Sequence, residues 1–101
     1  MDEQDRVATF LETYDLDAAP ENRVLDLVSE VGEVATEVNE STDYGASPDD
    51  VAVARDELGD ALFSLLSVCE AVDVDASAAL DEALAKYERR LSETGTAASG
   101  E

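Results

Sequence analysis

The 101-residue chain predicts an all-α, four-helix single domain. Three observations carry this. Apolar residues recur at three- and four-residue spacing through four separate stretches. Proline, capping residues and small polar clusters punctuate the gaps between them. The length suits one core, small enough that a second subunit would add much of the burial. The helices are expected near residues 2–14, 20–39, 48–72 and 76–93, forming a helical-bundle oligomer. The domain is expected to span 1–94, with 95–101 a disordered tail.

In the first helix Val7, Phe10, Leu11 and Tyr14 make one apolar stripe. Pro20 suits the first turn of the second helix, where its missing N–H costs nothing. That helix carries a stripe of Val24, Leu27, Val28, Val31, Ala35 and Val38, expected to be its core face. Asp26, Glu30, Glu33, Glu37 and Glu40 fall on the far side of the wheel and, taken alone, read as a solvated face. Ser41 to Ser47 is a loop by composition, and Ser47-Pro48-Asp49-Asp50 reads as cap, first helical position and acidic first turn. The third helix is apolar or small nearly all round, with Val51, Ala54, Leu58, Ala61, Leu62, Leu65, Cys69 and Val72 on one side and Val53, Ser64, Ser67 and Ala71 on the other. A helix of this kind belongs inside a bundle or at an oligomer interface, so Glu57 and Asp60 are expected to face protein. Asp75 is placed to cap the fourth helix, whose stripe is Leu80, Leu84, Tyr87 and Leu91.

Composition narrows the function. Twenty-six acidic residues against six basic ones give a formal charge of −20, which repels nucleic acid and anionic membranes, so no direct DNA or RNA partner and no membrane partner is expected. Acid spread along the whole chain, with Lys86 the one lysine, is the pattern of a protein adapted to high salt. Cys69 has no partner for an intrachain disulfide and packs as a small hydrophobe. With no histidine either, thiolate and imidazole metal sites are excluded. The longest charge-free run, Ala61 to Cys69, is too short to span a bilayer, no signal peptide opens the chain, and a cytoplasmic location is expected.

Two acidic words hold the chemistry: Glu30-Val31-Gly32-Glu33 and Glu57-Leu58-Gly59-Asp60. Acids at i and i+3 share a helix face, but the chain holds seven such pairs, so spacing alone says little. Only these two read acid, branched aliphatic, glycine, acid. A helical glycine costs about 1 kcal/mol relative to alanine, which points to close approach by a backbone or ligand at both. Burying carboxylates without counter-charge costs several kcal/mol each, and a hard cation such as magnesium or manganese is the natural remedy. Of the six basic residues, Lys86, Arg89 and Arg90 lie together on the last helix. Lys86 and Arg90 border its apolar stripe while Arg89 points away. Two readings stand for that pair: contacts to a polyphosphate substrate, or salt bridges to neighbouring acids with favourable charge near a helix C-terminus.

These words resemble the MazG-like members of the all-α nucleoside triphosphate pyrophosphohydrolases, whose signature is Glu-x-x-Glu, a spacer, then Glu-x-x-Asp. Here 23 residues separate the two words, and the flanking Leu25-Asp26-Leu27 and Ala61-Leu62-Phe63 look similar too, over roughly residues 21–91. The resemblance implies a homodimer or dimer of dimers, with magnesium (or manganese) held by Glu30, Glu33, Glu57 and Asp60. It implies a nucleotide substrate hydrolysed between the α- and β-phosphates, one glutamate orienting or deprotonating the attacking water, and Lys86 and Arg90 binding phosphate. Ser29 and Ala85 depart from the additional acid and the asparagine that many relatives carry. The alternative from another class is a non-catalytic helical dimer acting as an interaction or regulatory module. An acidic mimic of nucleic acid is the weaker third reading, because the third helix is poor in charge.

Overall fold

The computed structural model describes residues 1–95. Within them lie four α-helices and no strand: α1 (Asp2–Thr13), α2 (Pro20–Ser41), α3 (Arg55–Ala71) and α4 (Ala76–Thr94), with a 3₁₀ turn at Pro48–Asp50. Residues 96–101, most of the expected tail, lie outside the described residues.

Three helix ends share one construction. Asp15, Asp43 and Asp73 adopt left-handed φ values of 52°, 50° and 57°. Each follows the cap of α1, α2 or α3, and the next residue's N–H returns to the carbonyl five residues back, as in Leu16 to Leu11 (2.9 Å) and Val74 to Cys69 (2.9 Å). This is the Schellman stop, made here with aspartate rather than glycine at the left-handed position. Aspartate tolerates that conformation better than most side chains. At the other ends, Pro20 opens α2, and the Asp75 carboxylate accepts the Ser77 N–H at 3.1 Å to cap α4.

The third helix starts later than expected. Pro48–Asp50 forms only a 3₁₀ turn, Val51 and Ala54 are extended (ψ 131° and 142°), and α3 begins at Arg55. The reason lies in α2: the Ser41 hydroxyl accepts the Ala52 N–H (2.9 Å) and the Glu37 carboxylate accepts the Ala54 N–H (3.0 Å). These side chains take the amides that a helix beginning at Pro48 would have used internally.

Packing also departs from the wheel. α3 is central, lying along α2 and, less extensively, against α1, whereas α4 does not pack along any of the other three. The face α3 gives to its neighbours is the small, polar one: Ser64, Leu66 and Ser67 are buried, while Leu58, Leu62, Leu65 and Val72 stay about half exposed. Helix α2 answers with Arg23, Leu27, Glu30, Val34, Glu37 and Val38, all partly shielded, and leaves Val24, Val28, Val31 and Ala35 exposed. The expected core stripe of α2 is therefore largely an outer surface, with only Leu27 and Val38 shielded. In α1, Val7 and Leu11 are partly shielded as expected, but Phe10 and Tyr14 are exposed and stack on each other at 4.9 Å. Phe10 also meets Phe63 edge-on at 5.8 Å, which anchors α1 to α3.

The best-buried link between distant parts of the chain is polar. Gln4, 6 % exposed, donates through Nε2 to the Glu70 carboxylate (2.7 Å) and the Val74 carbonyl (2.8 Å), and its Oε1 accepts the Ala76 N–H (2.7 Å). One side chain of α1 thus ties the end of α3, the turn after it and the first residue of α4. Leu66 is the one buried apolar side chain among the described residues. The radius of gyration is 16.5 Å, against about 13 Å for a compact chain of this length. The chain by itself buries little apolar surface.

Candidate metal centre

The α2 and α3 faces that pack together carry the acids. Glu30 is partly shielded because the face of α2 running through Arg23, Leu27, Val34 and Glu37 is turned onto α3. Glu57, in the first turn of α3, lies opposite it, and Asp60 follows one turn on. Carboxylate oxygens of Glu30, Glu57 and Asp60 lie within 4.8 Å of one another, the first two half-buried and the third exposed. Two helices 27 residues apart in register thereby deliver three carboxylates to one point.

Glu33 is not the fourth member of that cluster. It lies exposed on α2, yet close enough for its charge to act on Glu57. The Glu57 carboxyl is held above its ordinary value of 4.5, first by desolvation and then by the negative charges of Glu37, Asp56, Glu33 and Asp60. The charges that raise it are all negative, so the carboxylates repel one another, which a bound cation would offset.

The donor set suits a hard ion. Magnesium holds oxygens at about 2.0–2.1 Å, so two of its ligands stand at most about 4.2 Å apart. The oxygens lie within 4.8 Å of one another, so small rotamer changes of the long glutamates, or an intervening water, bring them to that spacing. Hard carboxylate oxygens without nitrogen or sulfur match hard cations such as magnesium, calcium or manganese.

Lys86 and Arg90 are brought together around one ring. They flank the Tyr87 ring on α4, with Nζ 4.9 Å and Cζ 6.0 Å from its centroid. Since α4 does not pack along α2 or α3, the basic pair and the carboxylates lie on elements that do not pack together. Among the described residues, no other part of the chain closely approaches the two glycines. A Cβ built on Gly32 or Gly59 would meet nothing within 4 Å.

Glu37 and Gln4 are the working residues that sequence reasoning missed. Glu37 looked like one more acid on a solvated face, although its position four residues beyond Glu33 and seven beyond Glu30 places it on the same edge of α2. Gln4, in an acid-rich opening turn, carries no signal of its three long-range hydrogen bonds.

An all-helical chain in which three carboxylates from two packed helices gather at one point defines a class of small helical domains with an acidic cluster between helices. Within that class the assignment follows from residues 18–94, which match the family model for the MazG nucleotide pyrophosphohydrolase domain: the chain belongs to that family. No curated protein and no solved structure matches it. Helix α1 precedes the matched residues. No helix among the described residues is long and apolar enough to cross a membrane.

Proposed function

We propose that this chain is a magnesium- or manganese-dependent nucleoside triphosphate pyrophosphohydrolase, cleaving between the α- and β-phosphates to release a nucleoside monophosphate and pyrophosphate. The observation that carries this reading is the convergence of Glu30, Glu57 and Asp60 from two helices to within 4.8 Å in a chain of the MazG nucleotide pyrophosphohydrolase family.

In this reading Glu30, Glu57 and Asp60 hold the ion. Glu33, one turn along α2 and outside the cluster, serves as a further ligand or orients and deprotonates the attacking water. The bound ion supplies charge neutralisation at the phosphate oxygens. Lys86 and Arg90, presented side by side around Tyr87, take the leaving pyrophosphate, where fixed positive charge counts most as negative charge develops.

The unit of function in this reading is a homodimer or a dimer of dimers. Leu62 and Leu65 on α3 and Leu84 on α4 are each close to 50 % exposed, and burying a leucine contributes roughly 1.5–3 kcal/mol. A second copy laid on these faces supplies the missing core. It also brings α4 onto a carboxylate site, either its own or its partner's.

The test is a panel of nucleoside triphosphates assayed for pyrophosphate with magnesium in molar salt, which screens the self-repulsion of so acidic a chain. Turnover should require the divalent ion, and Glu57→Gln and Asp60→Asn should each reduce it by about two to three orders of magnitude, the usual loss of a direct electrostatic stabiliser. Normal turnover by Glu57→Gln sinks the site assignment. No pyrophosphate from any nucleotide, with magnesium raising thermal stability regardless of nucleotide, identifies the non-catalytic helical module instead.

A further inference from the structure

We infer that Glu37 is a positioning residue for the carboxylate site: by occupying the Ala54 N–H at the head of α3, it leaves Glu57 to face Glu30 and Asp60. The inference rests on the reading of that site as a cation centre and concerns how the chain keeps one ligand in place.

The argument starts at the N-terminus of α3. Its cap residue is Ala54, whose side chain accepts no hydrogen bond. The third helical residue after the cap is Glu57. A glutamate at that place ordinarily folds back to accept the cap residue's own N–H, as in a capping box, and the positive end of the helix dipole favours it there. In this protein the amide is already taken. The Ala54 N–H points to both oxygens of Glu37, at 3.0 Å and 3.4 Å. Glu57 instead has an oxygen within 4.8 Å of Glu30 and Asp60. The preceding extended segment is held in register by Ser41, whose hydroxyl accepts the Ala52 N–H at 2.9 Å.

Glu37 thus supplies from α2 the cap that α3 lacks. Without it, Glu57, the third residue after the cap, stands at the capping-box position from which a glutamate takes the Ala54 N–H. Each time Glu57 makes that bond, the site is one ligand short.

The test measures manganese binding by the loss of the free-ion paramagnetic resonance signal, on the full chain and without nucleotide. Glu37→Ala and Glu37→Gln remove the same charge, but only the amide keeps an acceptor for Ala54. Glu37→Ala should therefore bind manganese about tenfold more weakly than Glu37→Gln, the low end of what is lost when a residue supporting a metal ligand is removed. Glu37→Asp, which keeps the charge but shortens the reach, should weaken binding relative to wild type and supplies the comparison should the alanine variant lose helix content. Ala54 has φ −64°, which proline adopts, so Ala54→Pro deletes the competing N–H without changing the backbone. Added to Glu37→Ala, it should restore binding to the Glu37→Gln level. Equal affinities for Glu37→Ala and Glu37→Gln, or no rescue by proline, overturn the inference. A wild type that takes up no manganese defeats the reading of the site instead. The role of Glu37 is then read from the Glu57 side-chain resonances, which should move strongly in Glu37→Ala, where Glu57 takes the Ala54 N–H, and little in Glu37→Gln. Glu57 resonances unmoved in Glu37→Ala overturn it.

Discussion

The two faces of the α2–α3 pair have opposite character. On the inner face Ser64, Ser67 and Leu66 are buried, and α2 meets them with a face that carries Glu30 and Glu37. On the outer face Val24, Val28 and Val31 of α2, with Leu58, Leu62 and Leu65 of α3, remain about half exposed. Small side chains on the inner face allow the two helices to lie close, and close helices are what bring acids from both of them to one point. The larger apolar residues, which would hold the helices further apart, are left outside. The chain thus gives its intrachain packing to the face that carries the acids and leaves most of its hydrophobic surface exposed.

The largest effect expected from this comparison is at Leu62. On a true solvent surface its truncation would change stability by no more than about 0.5 kcal/mol. Covered by a second copy, Leu62→Ala should cost about 2–4 kcal/mol per protomer, the range for a leucine cut from a packed core, and should make the melting temperature depend on protein concentration. Calorimetry at two concentrations, with sedimentation analysis, decides between the two. A stable, monodisperse wild-type monomer with an indifferent Leu62→Ala would remove the distinction between the faces altogether.

That distinction also explains which parts of the fold were legible in the sequence. Element positions were readable because local chemistry sets them: Pro20 opens α2, Asp75 caps α4, and both helices lie where the periodicity puts them. The start of α3 was not, because Ser41 and Glu37, residues of another helix, take the amides of Ala52 and Ala54. Which face packs inward was also hidden. A helical wheel reports where apolar residues cluster, but apolar burial within a chain and between chains leaves the same pattern. The Val24–Val28–Val31 stripe was therefore read as core, and the edge bearing Glu30 and Glu37 as solvated. The candidate acids were visible from their glycine-bearing words, yet the wheel could not show that Glu30 turns inward while Glu33 stays at the edge.

A smaller effect is expected at Gln4, which joins the α2–α3 pair to the helix that stands apart from it. Its three hydrogen bonds, at 2.7, 2.8 and 2.7 Å, fix the turn from α3 into α4. Helix α4 rises about 1.5 Å per residue, so a tilt of about 10° at Ala76 displaces Lys86 by roughly 2.5 Å. Gln4→Ala should cost about 1–3 kcal/mol, because it removes three hydrogen bonds worth roughly 0.5–1.5 kcal/mol each, partly recovered by water at the exposed Glu70 and Val74. It should also broaden the distance distribution between spin labels placed on α1 and α4 in a Cys69→Ser background. A distribution as narrow as in the unsubstituted chain would mean that α4 is oriented by contacts on its outer face rather than by this tie.

The smallest effect tests the outer face where it runs past the acids. Nothing in the protomer lies within 4 Å of a Cβ placed on Gly32, and Gly32 lies in the interior of α2 with no left-handed φ to require glycine. Judged on the protomer alone, Gly32→Ala should therefore stabilise the chain by up to about 1 kcal/mol, the difference in helix propensity. If a second copy or a bound nucleotide approaches the α2 backbone there, the added methyl group meets it, and the sign reverses in the assembled or liganded state only. Thermal melts of Gly32→Ala at low protein concentration, at high concentration, and with magnesium and nucleotide separate the three situations. A gain that persists in all of them leaves Gly32 without a packing or ligand role. A gain lost only with nucleotide places the substrate against α2, beside Glu30 and Glu33.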